Sequence, residues 1–261
     1  MFRKPSNDRN WKRDFEKMAW AELKGDTIIL HNVRNNRYNQ PGEKYSINWE
    51  DRCYKLSTLR RLWFLLEPFH PTIDAIAHPF LSFEFEDTFL AVSIEARVTR
   101  GNRYSIAKGL VGNYELIYSF GDEHDFIVRR TCFHEHAVYL YPLITPPIEV
   151  ATLLLGMLAN ANALTQRPRL YNSVSNNCTN VLRRHANQVR PGSFLPFIWA
   201  DLLPGLSDIV LFKKGWIATN ANLKNMRKVH SIKDIACKVK DHPRFSMLIR
   251  EQFDGFCQVS G

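Results

Sequence analysis

Residues 75–98 constrain this chain most. Two runs rich in aromatic and β-branched residues, Ile76-Ala77-His78-Pro79-Phe80-Leu81-Ser82-Phe83-Glu84-Phe85 and Phe89-Leu90-Ala91-Val92-Ser93-Ile94-Glu95-Ala96-Arg97, flank the short polar stretch Glu86-Asp87-Thr88. Such a pattern predicts an antiparallel hairpin. Alternation along a strand then turns Leu90, Val92, Ile94 and Ala96 one way and Ser93, Glu95 and Arg97 the other, while His78, Phe80 and Ser82 share a face of the first strand. If the two strands pair, an imidazole and a carboxylate can stand on the same side of one sheet.

The other segments extend this core. Residues 27–33, 115–120, 126–131 and 137–142 read as strands, and 38–55, with Pro41-Gly42, reads as loop. A short helix is predicted near 14–23, and the very apolar 59–66 run, with Trp63 and Phe64 behind Arg60 and Arg61, reads as a second one, in the core or at a lipid interface. Residues 101–112 form a basic, glycine-punctuated segment. Pro146-Pro147 opens a long helix over 148–165 with the stripe Val150, Leu154, Met157, Leu158 and Ala161. The tail from 221 is helical and basic. A β-rich middle flanked by helices predicts an α+β fold. No domain boundary is visible: 1–261 reads as a single domain with a lead-in (1–25), a β-rich part (26–142), a helical part (143–220) and a helical tail (221–261).

With 45% apolar residues the chain can build a large core, so global disorder is excluded. Lys plus Arg exceeds Asp plus Glu by 35 − 26 = 9, a balance that suits anionic lipid headgroups or nucleic acid. No nucleic-acid-binding module is recognisable, so nucleic acid is not expected, and the charge suits a membrane surface or mere solubility. The five cysteines, Cys53, Cys132, Cys178, Cys237 and Cys257, show no disulfide framework and no Cys-x-x-Cys metal pair. Cys132, His134 and His136 alternate as zinc ligands would, but a fourth ligand is not evident, and neither a metal nor another cofactor is expected. The N-terminus lacks the apolar stretch of a signal peptide, and no uninterrupted apolar run approaches about 20 residues, so no membrane span is expected.

The chemistry-bearing stretch is Tyr171-Asn172-Ser173-Val174-Ser175-Asn176-Asn177-Cys178-Thr179-Asn180-Val181-Leu182-Arg183-Arg184-His185. Ser175, Asn176 and Asn177 are good N-cap residues, so Cys178 falls at the first turn of a helix. There the helix dipole and unpaired N–H groups are expected to lower the thiol pKa and to stabilise an oxyanion. The same cysteine also suits a buried structural site. A thiol nucleophile needs a base and a group that orients the base. His78 and Glu95 are the candidates, with His31 as a rival base.

These segments together resemble the N-terminal periplasmic domain family of Lnb-type lipoprotein N-acyltransferases. The resemblance is carried by Pro5-Ser6-Asn7-Asp8-Arg9-Asn10-Trp11, His31-Asn32-Val33-Arg34-Asn35, Ile76-Ala77-His78-Pro79-Phe80-Leu81-Ser82-Phe83, Ser93-Ile94-Glu95-Ala96-Arg97, Tyr114-Glu115-Leu116-Ile117-Tyr118 and Tyr171 to Thr179. The chain differs at Pro79, where the family tends to have Thr, and at His124, where it tends to have Arg. The resemblance implies a circularly permuted papain-like fold, similar to NlpC-type peptidases and lecithin–retinol acyltransferase, with Cys178 as nucleophile, His78 as base and Glu95 as orienting group. It also implies a thioester route from a phospholipid to an amine of a lipoprotein, at a periplasmic or membrane-associated site. Asn177 is then a candidate oxyanion donor, and Arg34 and Arg97 are candidate headgroup contacts. A hydrolase built on the same residues and a non-catalytic membrane- or partner-binding module are the alternatives.

Overall fold

The structure is a computed structural model that describes residues 3–38, 45–70, 72–195, 198–253 and 255. Pro41-Gly42 and Cys257 lie outside the described residues. In chain order the strands are β1 (Trp20–Lys24), β2 (Thr27–Arg34), β3 (Trp49–Lys55), β4 (Leu59–Pro68), β5 (Ala77–Phe85), β6 (Phe89–Arg97), β7 (Tyr114–Asp122), β8 (Tyr139–Pro142) and β9 (Leu170–Tyr171). The main helices are α1 (Ile106–Leu110), α2 (Glu123–Val128), α3 (Pro147–Gln166), α4 (Cys178–Val189) and α5 (Ser207–Lys213), followed by the short helices α6 (Met226–Val229), α7 (Lys233–Lys238) and α8 (Phe245–Leu248). The fold is α+β.

Among the described residues all nine strands join one mixed, open sheet in the order β1-β2-β7-β6-β5-β4-β8, with β3 also on β2 and β9 on β7. The expected hairpin is its centre. β5 and β6 pair antiparallel from Leu81↔Val92 to Glu84↔Phe89. Alternation then sorts the core into two layers. Leu81, Leu90, Val92, Ile94 and Ala96 pack with the inner stripe of α3 and with Cys178 and Val181 of α4. On the opposite face Phe80 and Ala91 pack with Phe126, Ile127, Ala236 and Phe253.

Four readings need correction. Residues 59–66 are strand, not helix: β4 lies between β5 and β8 and is buried on both faces. A strand buried on both sides shows no alternation, and a short apolar run looks the same in a buried helix. The interfacial-helix reading of Trp63 and Phe64 falls with it, since both are buried. Residues 14–23 form a 3₁₀ turn (Arg13–Phe15) and then β1. Residues 126–131 are helical: α2 continues into a π-helical turn, Arg129–Phe133. Asp122 caps α2 by accepting from His124 N–H, a start signal that the β-branched run Ile127-Val128 obscures. Within 38–55, β3 pairs with β2.

Helix α3 is long and apolar enough to cross a membrane, with a mean hydropathy of 1.4, although polar Asn160, Asn162 and Thr165 interrupt its sequence. Its inner stripe of Val150, Leu154, Met157, Leu158 and Ala161 is buried in the first core layer. A disulfide, Cys132–Cys237, ties the π-helical turn to α7 across a sequence separation of 105. Spacing alone could not reveal it, because only the fold brings the two thiols together. It also removes the thiolate from the Cys132, His134 and His136 set; His136 is bonded instead to Glu67.

Candidate active site

Asn177 caps α4. Its side-chain oxygen accepts from Asn180 N–H, and the Asn180 side chain accepts from Asn177 N–H, a reciprocal capping box. Cys178 therefore stands at the first helical position, buried and not disulfide-bonded. Both amide hydrogens of Asn177 are already donated, to Ser173 O and Asp201 O. That side chain builds the turn and has no spare N–H to offer a ligand.

Cys178, His78 and Glu95 line one cavity of about 1140 Å³, counting the part open to solvent. It lies beyond the end of the β5–β6 ladder. Pairing stops at Leu81↔Val92, and the lining residues Ile76, Ala77 and His78 on one side and Ile94, Glu95 and Ala96 on the other are past that point. Cys178 reaches the cavity from the α3–α4 layer, while His78 belongs to the Phe80 face of β5. The His78 ring stacks toward Phe80 at 6.3 Å between centroids, and its Nε2 is hydrogen-bonded to Ser93 Oγ at 2.7 Å.

The electrostatics reverse one expectation. Burial pushes the Cys178 thiol up to about 12, against the opposing pull of the Thr179 hydroxyl and of the helix-start N–H groups. Desolvation outweighs the dipole here, so at neutral pH the sulfur is a thiol. Burial also lowers the His78 pKa below its ordinary value, Glu95 opposing and Arg130 reinforcing the shift. Its imidazole is therefore neutral at pH 7 and able to accept a proton. Burial alone would raise Glu95, but the Arg130 guanidinium at 3.4 Å overrides it and holds the carboxyl at about 2. Arg130 also pairs with Glu67 at 2.7 Å and lies over the Phe80 ring.

The other candidates are elsewhere. His31 stacks on Trp20 and pairs with Asp51 outside the cavity lining. Arg34 is fully buried, bonded to Asp125 and stacked on Phe126. Arg97 lies over Trp11 and donates to Phe15 O and Glu16 O, which fastens the N-terminal segment. The cavity takes its cations from Lys12, Arg129 and Arg130 instead. Arg129 pairs with Asp14 at 2.9 Å. The half-buried Lys12 ammonium makes no hydrogen bond or ion pair among the described residues. Lys12 and the arginine pair carried no motif and were not legible in the sequence; Ser93 stands in the predicted hairpin and on the Glu95 face, but no sequence pattern assigns it a role. Tyr104, Ile106 and Leu202 line the cavity and are also exposed, which gives its mouth an apolar rim.

A sequence model of the Lnb N-terminal periplasmic domain matches residues 45–205. The chain belongs to that family. The match spans β3 to the turn before α5 and so contains the whole hairpin and the Cys178 helix. Searches of curated proteins and of solved structures find no match. The Lnb domain assignment gives the chain a periplasmic, lipoprotein-related setting. The Cys132–Cys237 disulfide of this Lnb domain suits an oxidising compartment of that kind.

Proposed function

We propose that this domain is a thiol-dependent acyltransferase that moves an acyl chain from a phospholipid, through a thioester on Cys178, to an amine. By family membership the amine is the α-amino group of a lipoprotein's lipidated cysteine. The observation that carries this reading is the shared cavity: a helix-start thiol and a neutral imidazole line it together, beside the Lys12 ammonium and the ion-paired Arg129 and Arg130. In this arrangement, which we read as a permuted papain-like site, His78 takes the proton from Cys178 as the sulfur attacks the ester carbonyl. N–H groups at the start of α4 receive the developing oxyanion. The carbon–oxygen bond to glycerol breaks, His78 protonates the departing lysophospholipid oxygen, and the acyl group stays on sulfur. The amine nitrogen then attacks the thioester, His78 accepts its proton, the carbon–sulfur bond breaks, and the proton returns to sulfur with the amide formed.

The Nε2–Ser93 Oγ hydrogen bond orients the ring; with the neutral ring's proton on Nε2, Nδ1 is left to serve as base. Glu95, a carboxylate throughout the working pH range, stabilises the transient imidazolium. Lys12 and Arg129 hold the donor's phosphate.

The test supplies phospholipid vesicles with a diacylglyceryl-cysteine peptide, and peptidoglycan fragments in parallel. Acylated peptide from the wild type, none from Cys178→Ala, and no cleavage of peptidoglycan is the expected pattern. Peptidoglycan cleavage without acyl transfer would establish the hydrolase reading instead. The burial and high pKa of the thiol favour a second, non-catalytic reading; product from the wild type that is absent in the mutant excludes it.

A further inference from the structure

A second cavity shares a wall with the first. It is an apolar groove of about 870 Å³, counting its open part, between α4 and the sheet. Leu62, Phe64 and Leu81 form its sheet side, and Leu182, Ala186 and Val189 its helix side. It contains neither Cys178 nor His78. It does contain Thr179 and Pro79, the residues immediately after each. Adjacent residues on a strand, and successive residues at a helix start, present different sides. The pairs 78–79 and 178–179 therefore contribute one residue to each space.

Thr179 links them chemically. Its hydroxyl is buried, has no hydrogen-bond partner of standard geometry among the described residues, and lies beside the Cys178 sulfur. The sulfur is only a weak acceptor, so the hydroxyl is left able to turn to a better one. At the other end of the groove the Arg190–Glu149 ion pair, at 2.6 Å, bounds the apolar lining. From Thr179 to Arg190 the helix rises 11 residues, on the order of 16 Å, comparable to an extended fatty acyl chain.

We infer that this groove holds the acyl chain of the thioester, with the carbonyl beside Thr179 and the methyl end toward the Arg190–Glu149 pair. The inference rests on the acyl-transfer reading above. A partner helix about 10 Å across and 16 Å long occupies on the order of 1,200 Å³, more than the groove's about 870 Å³, so a whole helix does not sit inside it. The mostly apolar lining disfavours a polar ligand, many of whose groups it would leave unpaired. A flexible apolar chain fits the space and brings a carbonyl to the Thr179 hydroxyl. The groove thereby becomes the ruler for donor chain length, with Ala186 and Val189 facing the distal part of the chain.

The test compares acylation of Cys178 by p-nitrophenyl butyrate and p-nitrophenyl palmitate, read by intact mass, in wild type, Ala186→Phe and Val189→Phe. Thermal unfolding checks that each variant is folded. Filling the groove lowers the palmitate-to-butyrate rate ratio by at least about tenfold while butyrate is little affected. An unchanged ratio in both folded variants overturns the groove. If the wild type is acylated by neither ester, the acyl-transfer reading itself fails. The groove is then judged separately, by a long-chain fluorescent fatty acid: binding to wild type that is lost in Ala186→Phe supports it, and absent or unaffected binding overturns it.

Discussion

Arg130 holds the site's charges in place. It lies between Glu67 and Glu95, all three largely buried, and covers the Phe80 ring that also packs near His78. Arg130→Gln leaves two buried carboxylates short of a counter-charge and is expected to cost about 3–5 kcal/mol in urea unfolding at pH 7. The pH dependence should change with it. Glu95 is held at about 2 in the folded state, below the ordinary carboxylate value. Its contribution to stability is therefore present above about pH 4.3 and lost as pH falls toward 2. In the mutant that acid-side loss shrinks or reverses sign. As the proposed base, His78 would set the pH profile of the proposed transfer. With its pKa lowered and the thiol at about 12, the rate should fall only below about pH 6.5, where imidazole protonates. No rise near the ordinary thiol pKa is expected, so single-turnover acylation should be flat between about pH 7 and 9. A midpoint well above 6.5 would argue against a neutral-imidazole base. Ser93→Ala is expected to lower kcat by about tenfold with KM unchanged, a modest part of what a positioned base supplies.

At the scale of elements, the start of α4 is fixed by its capping box and by the two donations of Asn177. Asn177→Ala removes the cap and two side-chain donations to Ser173 O and Asp201 O. It should cost about 2 kcal/mol in chemical denaturation and slow acylation through displacement of Cys178. This element was legible in the sequence because capping residues and helical periodicity lie next to each other in the chain. So was the β5–β6 hairpin, whose alternation and turn are local too. The placement of His78 and Glu95 on one face, the burial of the α3 stripe and the strand at β7 follow from the same local rules. Other features were hidden where tertiary context decides. The run that becomes β4 is apolar on both faces because strands and cores enclose it, so its period vanishes. The arginines at 34 and 97 look like surface cations in the sequence, but buried partners, Asp125 and the carbonyls of Phe15 and Glu16, claim them. The thiol's raised pKa depends on how deeply the helix start is packed, which no local motif records.

At the scale of the whole molecule, the sheet separates two tasks. One layer carries Cys178 on α4, the proposed nucleophile, and the opposite face carries His78, the proposed base, with its charge network; both line the cavity where the β5–β6 ladder ends. The disulfide fastens the π-helical turn that carries Arg129 and Arg130. Cys132→Ser should lower stability by about 2–4 kcal/mol, and because it loosens the cationic wall it should weaken phospholipid use more than p-nitrophenyl ester use. The most direct measurement is the intact mass of the protein after brief exposure to phospholipid vesicles, followed by hydroxylamine. One acyl chain added in the wild type, mapped to Cys178, removed by hydroxylamine and missing in both Cys178→Ala and His78→Ala, is the predicted result. A wild-type mass that never changes, or an adduct that survives in His78→Ala at an undiminished rate, contradicts the pairing of that thiol with that imidazole.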